Sequence, residues 1–200
     1  MIFIVDYDAG NIRSVDRACR HLGYTTTITK DISSATLDDT IVLPGVGSFG
    51  HAMDSLASSR LDHQLKNKIA DGIPFIGICL GLQMLFNASE ESPGVKGLSI
   101  IDGTVNKFID TKLPIPQIGW NTIETLDPDF KEFNQQYFYF VHSYYVKPTH
   151  PSVMMTTTDY TLSYTSAIRR PNMIATQFHP EKSGDVGLAF LSKCLEILHE

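Results

Sequence analysis

Residues 74–86 read Pro-Phe-Ile-Gly-Ile-Cys-Leu-Gly-Leu-Gln-Met-Leu-Phe, and the arrangement of the whole chain follows from this stretch. Its apolar, β-branched first half predicts a buried strand, and its second half predicts a helix. Gly77 and Gly81 lie two residues before and after Cys79, which favours a sharp turn, because a residue without Cβ relieves crowding there. The stretch therefore predicts strand, turn and helix, with the Cys79 thiol presented at the turn.

Two interpretations of Cys79 follow from this position. At the first turn of a helix, the thiol would feel the positive end of the helix dipole, which favours the thiolate and makes a nucleophile near neutral pH. Alternatively, Cys79 is a small core residue, since free cysteine is among the most buried residue types. The stretch alone leaves both interpretations open.

The composition is that of a globular protein, and it argues against several classes of function. The chain has 200 residues, 42% of them apolar, and a net charge of −6 with no basic cluster longer than Arg169-Arg170. Binding to nucleic acid or to an anionic membrane surface is therefore not expected. Cys19, Cys79 and Cys194 are widely spaced, which predicts neither a disulfide framework nor a zinc site. We expect one domain over residues 1–200, with no metal and no cofactor.

The N-terminus gives a prediction about location. Strand-like residues 2–5 follow Met1 directly, without a basic leader or a cleavage site, so no signal peptide is expected. The most apolar window, residues 73–86, is too short to cross a bilayer. We expect a cytoplasmic protein.

Strands and helices alternate through the first ninety or so residues. Strands are predicted at residues 2–5, 25–29, 40–43 and before Cys79, and helices at residues 12–22 and 61–69. This order predicts parallel strands joined by right-handed crossovers, with ligands bound at the carboxyl ends of the strands. Cys79 and the glycine-rich loop at residues 44–50 both fall at such ends.

The second half of the sequence consists of short β-rich runs separated by Pro, Asp and Asn. These runs are residues 100–108, 117–124, 137–146, 152–158, 161–167 and 173–178, and a helix with apolar positions from Val186 to Leu198 follows them. Antiparallel pairing is predicted for this part. The predicted fold is α/β, with a mostly parallel central sheet flanked by helices and an antiparallel section in the second half.

A nucleophilic cysteine needs a base, and the base needs a group that fixes its tautomer. His179 ends a predicted strand and is followed by Pro180 and Glu181. In the extended conformation that proline favours, Glu181 points to the same side as His179, so Cys79, His179 and Glu181 could form a triad. An ordinary His-Pro turn is the alternative. His142 competes as base, but its aromatic neighbours favour a binding or structural role.

Attack on an amide or ester carbonyl also needs N–H donors for the developing oxyanion. The amide of Leu80, directly after the nucleophile, is one natural donor. Val46 and Gly47 are candidates for the second, because glycines let a loop turn its N–H groups into a concavity. A plain glycine turn is the alternative here.

Longer motifs run nearly end to end along the chain. They are Asp6-Tyr7 with residues 10–15, residues 44–50, Gly77-Ile78-Cys79-Leu80-Gly81 with Gln83, Gly119-Trp120-Asn121, residues 140–145, Gln177-Phe178-His179-Pro180-Glu181 and residues 181–184. With these motifs the chain resembles the class I, or triad-type, glutamine amidotransferases. Within that class, it is most similar to the glutaminase subunits of imidazole glycerol phosphate synthases, from histidine biosynthesis.

The resemblance implies a reaction, a substrate and a partner. Glutamine would be hydrolysed through a γ-glutamyl thioester on Cys79, with Gly47, Gln83, Ser143 and Tyr144 around the bound substrate. The ammonia would pass to a (β/α)8-barrel cyclase subunit in a heterodimer, where it reacts with a phosphoribulosyl carboxamide nucleotide. Trp120 lies in a segment that the family uses near its synthase.

Two departures and two alternatives accompany the resemblance. Asp8 stands where the family usually has Gly, and Gln117 where it usually has His. Neither belongs to the triad, but Gln117 lies beside Trp120 in the sequence, which puts the detail of the partner-facing surface in doubt. The chain could instead be the triad glutaminase of another synthase, for anthranilate or pyridoxal phosphate. It could also be a catalytically silent interaction subunit, although the intact triad argues against this.

Overall fold

The first half of the chain alternates strands and helices as predicted. The computed structural model describes residues 1–8, 11–109 and 113–200, so Gly10 of the N-terminal motif lies outside the described residues. In chain order the elements are β1 (Ile2–Val5), α1 (Ile12–His21), β2 (Thr26–Thr29), β3 (Thr40–Gly45), α2 (Phe49–Ser58), α3 (Leu61–Ala70), β4 (Phe75–Cys79) and α4 (Leu80–Gln83).

The second half is rich in short strands and ends in one long helix. The elements are β5 (Ala88–Ser89), β6 (Gly103–Lys107), β7 (Gln117–Thr122), β8 (Glu124–Thr125), β9 (Tyr137–His142), β10 (Tyr144–Pro148), β11 (Met154–Asp159), β12 (Ser163–Arg170), β13 (Met173–Thr176) and α5 (Gly184–Ile197). Short 3-10 helices occur at Pro128–Phe133, Pro151–Val153 and Pro180–Lys182. No helix in the described part of the chain is long and apolar enough to span a bilayer.

The strands form two sheets. Among the described residues, eleven strands make one sheet, and β7 and β9 form a separate antiparallel pair. Strands β2, β1, β3, β4 and β13 lie side by side and run parallel. Antiparallel pairs from β13 through β12 and β10 to β6 extend the sheet. The predicted α/β class is therefore confirmed, and the end of β4 lies between two parallel neighbours.

The apolar core lies on both faces of the sheet. Side chains alternate along β1, so that Phe3 and Val5 pack with α2 and α3, whereas Ile2 and Ile4 pack with α1 and α5. Both faces of a parallel sheet must be covered in this way. Each large apolar side chain buried here stabilises the fold by about 1.5–3 kcal/mol.

The helix that follows Cys79 is shorter than predicted. It ends at Gln83, whereas the sequence predicts helix through the apolar residues up to Phe86. The carbonyl of Met84 accepts a backbone hydrogen bond from Leu98, and that of Leu85 accepts one from Ile100. These tertiary bonds replace the helical ones, so the chain turns away after a single helical turn.

The loop predicted at residues 44–50 is also shorter in the structure. Strand β3 continues through Pro44 and Gly45. Proline has no backbone N–H, but pairing with β1 already stops at Val42, so Pro44 breaks no hydrogen bond with that strand. Helix α2 begins at Phe49, and the sequence analysis missed it. Only residues 46–48 connect the two elements.

The predicted strand at residues 137–146 is two strands in different sheets. Strand β9 pairs with β7, and β10 pairs with β6 after a break at Ser143. The predicted strand at residues 117–124 is likewise broken, at Ile123. The other predicted elements differ from the observed ones only at their ends.

Candidate active site

The turn at Cys79 has the geometry that its glycines indicate. Cys79 has φ +57° and ψ −108°, a conformation that stores strain in a residue other than glycine. A Cβ on Gly81 would lie 2.0 Å from the Leu43 carbonyl oxygen, and one on Gly77 would lie 3.0 Å from the Ala175 Cβ. The sharp strand-to-helix turn and the close packing around it are therefore confirmed.

The sequence predicted that the turn presents the Cys79 thiol to solvent, but Cys79 is buried. It is only 6% exposed, because it ends a strand flanked by two parallel neighbours. It nevertheless lines a cavity of about 400 Å³, a volume in the range of small-molecule sites. The thiol is thus buried from bulk water and accessible from the cavity.

The cavity brings together most of the predicted site residues. Its wall includes Val46, Gly47, Leu80, Gln83, Ser143 and Tyr144. Val46 and Gly47 come from the connection after β3, Leu80 and Gln83 from α4, and Ser143 and Tyr144 from the break between β9 and β10. Gly47 has φ +99°, which only glycine adopts readily.

The predicted base lies beneath the cavity and not in its wall. His179 and Glu181 have side chains only 1% exposed, and His179 Nδ1 lies 2.8 Å from Glu181 Oε1. Glu181 reaches the ring from a 3-10 turn at Pro180–Lys182, not from the extended chain that we expected. Asn11, to which the sequence analysis gave no role, donates to the same carboxylate oxygen at 3.2 Å.

The charge state of His179 depends on Cys79 and Glu181. Burial of the ring opposes its protonation, but the nearby Cys79 sulfur and the Glu181 carboxylate outweigh burial and raise the pKa of His179 to about 10. Its Nε2 is buried and has no hydrogen-bond partner among the described residues. Catalytic hydrogen bonds often tighten only when substrate is bound. The arrangement suits a thiolate–imidazolium pair.

Gln177, whose role was not predicted from the sequence, contacts the thiol. Gln83 donates through Nε2 to the Tyr144 carbonyl at 3.1 Å and to Gln177 Oε1 at 3.0 Å. This fixes the Gln177 amide with its Nε2 facing Cys79 Sγ at 3.7 Å. Gln177 precedes the base by two residues in the Gln-Phe-His-Pro-Glu motif, so the motif carried a signal for it.

Glu91 also lines the cavity, and no local sequence signal indicated it. Its Oε2 accepts from the backbone N–H of Phe49 at 2.7 Å. Ser92 Oγ accepts from the N–H of Gly50 at 3.0 Å. These two contacts hold the start of α2, and thereby fix one end of the connection that carries Val46 and Gly47.

The two departures from the family motifs have structural explanations. Asp8 has φ +64°, a left-handed conformation that suits glycine and that aspartate tolerates better than most residues. Gln117 is only 2% exposed and contacts Tyr164 in the interior, so its side chain adds little to the exposed surface around Trp120. Trp120, three residues later, is 56% exposed.

Comparison with known proteins identifies the family. The family model described as "Glutamine amidotransferase class-I" matches residues 3–196. The chain belongs to the class I glutamine amidotransferases. The resemblance stated from the motifs is therefore confirmed.

Relatives of this amidotransferase are similar over their whole length. It is 45% identical to a protein of Methanothermobacter thermautotrophicus, with 99% of each chain covered, and 44% identical to one of Methanocaldococcus jannaschii, with 99% and 100% covered. Both are named imidazole glycerol phosphate synthase subunit HisH.

Solved structures share the fold. A crystal structure of a glutamine amidotransferase is 15% identical, with a TM-score of 0.74 and 100% of each chain covered. A glutamine amidotransferase from Thermotoga maritima is 16% identical, with a TM-score of 0.71 and 100% and 97% covered.

Proposed function

We propose that this amidotransferase hydrolyses glutamine through a thioester on Cys79 and supplies the ammonia to a cyclase subunit that makes imidazole glycerol phosphate. The observation that carries the mechanism is the strained Cys79 turn, which places the thiol in the wall of a cavity, with the buried His179–Glu181 pair close by. The relatives' names support the pathway, histidine biosynthesis.

The reaction proceeds in two halves. Cys79 Sγ attacks the side-chain amide carbon of glutamine, and the oxyanion is stabilised by N–H groups of Leu80 and of the Val46–Gly47 connection. His179 Nε2 gives its proton to the amide nitrogen, the C–N bond breaks, and ammonia leaves. Water then attacks the thioester while His179 takes its proton, so glutamate is released and the thiolate–imidazolium pair returns.

The cavity wall also suits the amino-acid end of glutamine. Both N–H groups of Gln83 are used by Tyr144 and Gln177, so the group that Gln83 can offer a ligand is its carbonyl oxygen. Glu91 adds a carboxylate to the same cavity. Two acceptors in this wall favour the α-ammonium group, while the side-chain amide extends to Cys79.

The partner would dock on the exposed face of the β7–β9 pair. Ile118, Trp120 and Tyr137 are 63%, 56% and 59% exposed, and we call these three residues the apolar patch. Large apolar side chains grouped in this way are typical of interfaces. Outward-facing residues of β9 lead from the patch to Val141 in the cavity wall. We infer that residues 1–200 form one amidotransferase domain. This domain would form a heterodimer with a (β/α)8-barrel cyclase in the cytoplasm.

A glutaminase assay tests the proposal. Glutamate release should be slow for the isolated chain and fast with a cyclase partner of this pathway carrying its nucleotide ligand. Anthranilate and pyridoxal phosphate synthases serve as control partners and should not activate it. Activation by one of these instead of the cyclase would contradict the assignment, and absence of glutamate release with every partner would favour a silent interaction subunit.

A further inference from the structure

A buried hydrogen-bond chain leads from Gln117 to the cavity wall. Gln117 Oε1 lies 3.1 Å from the Tyr164 hydroxyl, which lies 3.2 Å from His142 Nε2, and His142 Nδ1 lies 2.8 Å from the Tyr144 carbonyl. Gln117, His142 and Tyr164 are each at most 6% exposed. The Tyr144 carbonyl is also the acceptor for Gln83, so the chain ends on a group that orients a cavity residue.

The direction of these hydrogen bonds can be worked out from the cavity end. A carbonyl oxygen only accepts, so His142 Nδ1 must carry a hydrogen. Burial lowers the pKa of His142 to about 4, so the ring is neutral near pH 7 and its Nε2 is an acceptor. Tyr164 has a single hydroxyl proton, and it must donate that proton to Nε2.

The amide of Gln117 forms the last hydrogen bond of the chain. With its Oε1 toward Tyr164, the Gln117 amide would have to accept the Tyr164 hydroxyl proton, which Tyr164 already donates to His142. The buried Nε2 of Gln117 also has no partner among the described residues. Turning the amide by half a turn removes the competition for the Tyr164 proton, because an N–H then donates to the Tyr164 oxygen. The position without a partner is then occupied by the Oε1 acceptor and no longer by the Nε2 donor. Tyr164 accepts from Gln117 and donates its single proton to His142.

We propose that Gln117 is a positioning residue for glutamine binding: it donates to Tyr164, Tyr164 donates to His142, and His142 holds the Tyr144 carbonyl that orients Gln83. This inference rests on the proposed function, since it assigns Gln83 to the substrate. Gln117 touches neither substrate nor thiol, so it acts through the wall of the cavity. Loss of its N–H should therefore weaken glutamine binding more than it slows chemistry.

The tautomer of His142 is the first test, and it needs no variant. In protein labelled with ¹⁵N-histidine, with the signals assigned by their loss in His142→Asn, His142 should carry its hydrogen on Nδ1 and remain neutral at pH 7. A hydrogen on Nε2 would overturn the proposal. This measurement does not depend on activity, so it stands even if the wild-type complex fails to hydrolyse glutamine, a result that would overturn the proposed function instead.

Variants of Gln117 are the second test. Gln117→Leu should raise KM for glutamine severalfold, up to about tenfold, as expected for one buried hydrogen bond, with kcat nearly unchanged. Gln117→Glu can only accept when ionised, so it should draw the Tyr164 proton away and raise the pKa of His142. Gln117→His, which keeps an N–H donor, should restore KM. Circular dichroism verifies folding, and unchanged KM and His142 signals in both Leu and Glu variants would overturn the proposal.

Two threonines provide controls. Thr158 has a buried hydroxyl near Tyr164 and is the competing donor. Thr158→Val should leave KM and the His142 signals unchanged, and an effect as large as that of Gln117→Leu would transfer the role to Thr158 and overturn the proposal. Thr156 makes a buried hydrogen bond with Ser166 at 2.8 Å, away from the chain. Thr156→Val should lower stability without changing KM. If KM rose as much as in Gln117→Leu, the effect of Gln117 would be explained by lost stability alone, and its positioning role would be overturned.

Discussion

Cys79, His179 and Glu181 are expected to contribute unequally to catalysis. Cys79→Ala removes the nucleophile and should abolish glutamine hydrolysis in the cyclase complex. His179→Ala should come close to this, because both proton transfers use its Nε2. Glu181→Ala should cost fewer orders of magnitude, since Glu181 only orients and charges the ring. Initial rates of glutamate release with excess cyclase measure all three.

The other two cysteines provide the control for this series. Burial raises the pKa of Cys19 to about 12 and raises the pKa of Cys194 as well, so both thiols stay protonated at neutral pH. Cys194→Ala should therefore keep its activity, and a thiol reagent at pH 7 should modify Cys79 alone. Substantial hydrolysis by Cys79→Ala would contradict the mechanism.

Protonation of His179 should make stability depend on pH. Its pKa is raised on folding from 6.5 to about 10, so its contribution to stability is fully present below pH 6.5 and is lost as the pH rises toward 10. The free energy of unfolding, measured by urea titration from pH 6 to 9, should fall more for the wild type than for His179→Asn. Cys79→Ala should also weaken the dependence, because the Cys79 sulfur is the largest influence that raises this pKa. Parallel curves for all three proteins would count against the ion pair.

The roles of site residues were predictable where residues close together in the sequence form a motif that indicates their chemistry. Cys79 with its glycines and His179 with Glu181 are local patterns, so the sequence identified them. Glu91 carries no such pattern, because its place in the cavity depends on how the chain after α4 folds back onto α2. The hydrogen-bond chain from Gln117 could not be predicted either, since Tyr164 and then His142 join it from two other strands.

At the scale of elements, the junction of β4 and α4 depends on Gly81. Gly81→Ala would drive a Cβ into the backbone oxygen of Leu43, at 2.0 Å, so β3 and α4 would have to separate. We expect a loss of several kcal/mol, as for other severe core changes. Gly23→Ala is the matched control: its φ of +89° is strained for alanine, but no atom lies within 4 Å, so about 1 kcal/mol is expected. Urea unfolding distinguishes them, and equal losses would refute the clash.

We expect the connection between β3 and α2 to be the element where activity is switched. Both of its ends are fixed, by packing of Gly45 against Leu80 and by the contact of Phe49 with Glu91, whereas Val46 and Gly47 lie between them. A peptide beside glycine can rotate its N–H toward or away from the oxyanion at low steric cost, and one such donor is worth roughly a hundred- to a thousandfold in rate. We expect the resting loop to direct a carbonyl at this position.

This loop switch predicts how the cyclase activates the enzyme. Because the oxyanion forms only during chemistry, activation by the cyclase with its nucleotide should appear mainly in kcat, and KM for glutamine should change less. Steady-state kinetics with and without partner measure both constants. Activation confined to KM, or an isolated subunit as fast as the complex, would instead indicate gated substrate entry or constitutive activity.

Helices and strands were predictable where one hydrophobic repeat was not contradicted by turn residues. Strands β1 and β4 and helix α3 follow their patterns closely. Helix α2 was missed although Phe49, Ala52, Met53 and Leu56 repeat at helical spacing and are buried, because the preceding glycines read as loop. The break at Ser143 was not predictable, since aromatic and apolar residues continue on both sides of it and only the different pairing partners of β9 and β10 divide them.

At the scale of the whole molecule, the apolar patch and the base are connected through β9. The Tyr139 carbonyl accepts the backbone N–H of His179 at 2.9 Å, and the Tyr139 N–H donates to Ser183 Oγ at 3.0 Å. The Tyr139 ring lies 6.2 Å from that of Trp120 on the neighbouring strand. A partner that moves β9 would therefore reach His179 directly, which couples docking to catalysis over a short path.

Trp120 provides the test of this arrangement. It is the only tryptophan in the chain, so its fluorescence reports on the patch alone, provided that the cyclase lacks tryptophan or has it replaced. Titration with the cyclase should change the emission, because docking removes an indole that is 56% exposed from water. Trp120→Ala should weaken cyclase binding by at least about 2 kcal/mol if it is an interface hot spot. Leu126→Ala, 50% exposed and outside the patch, is the matched control and should bind normally. Unchanged emission at saturating cyclase would place the interface elsewhere, and the connection through β9 would then have no role in activation.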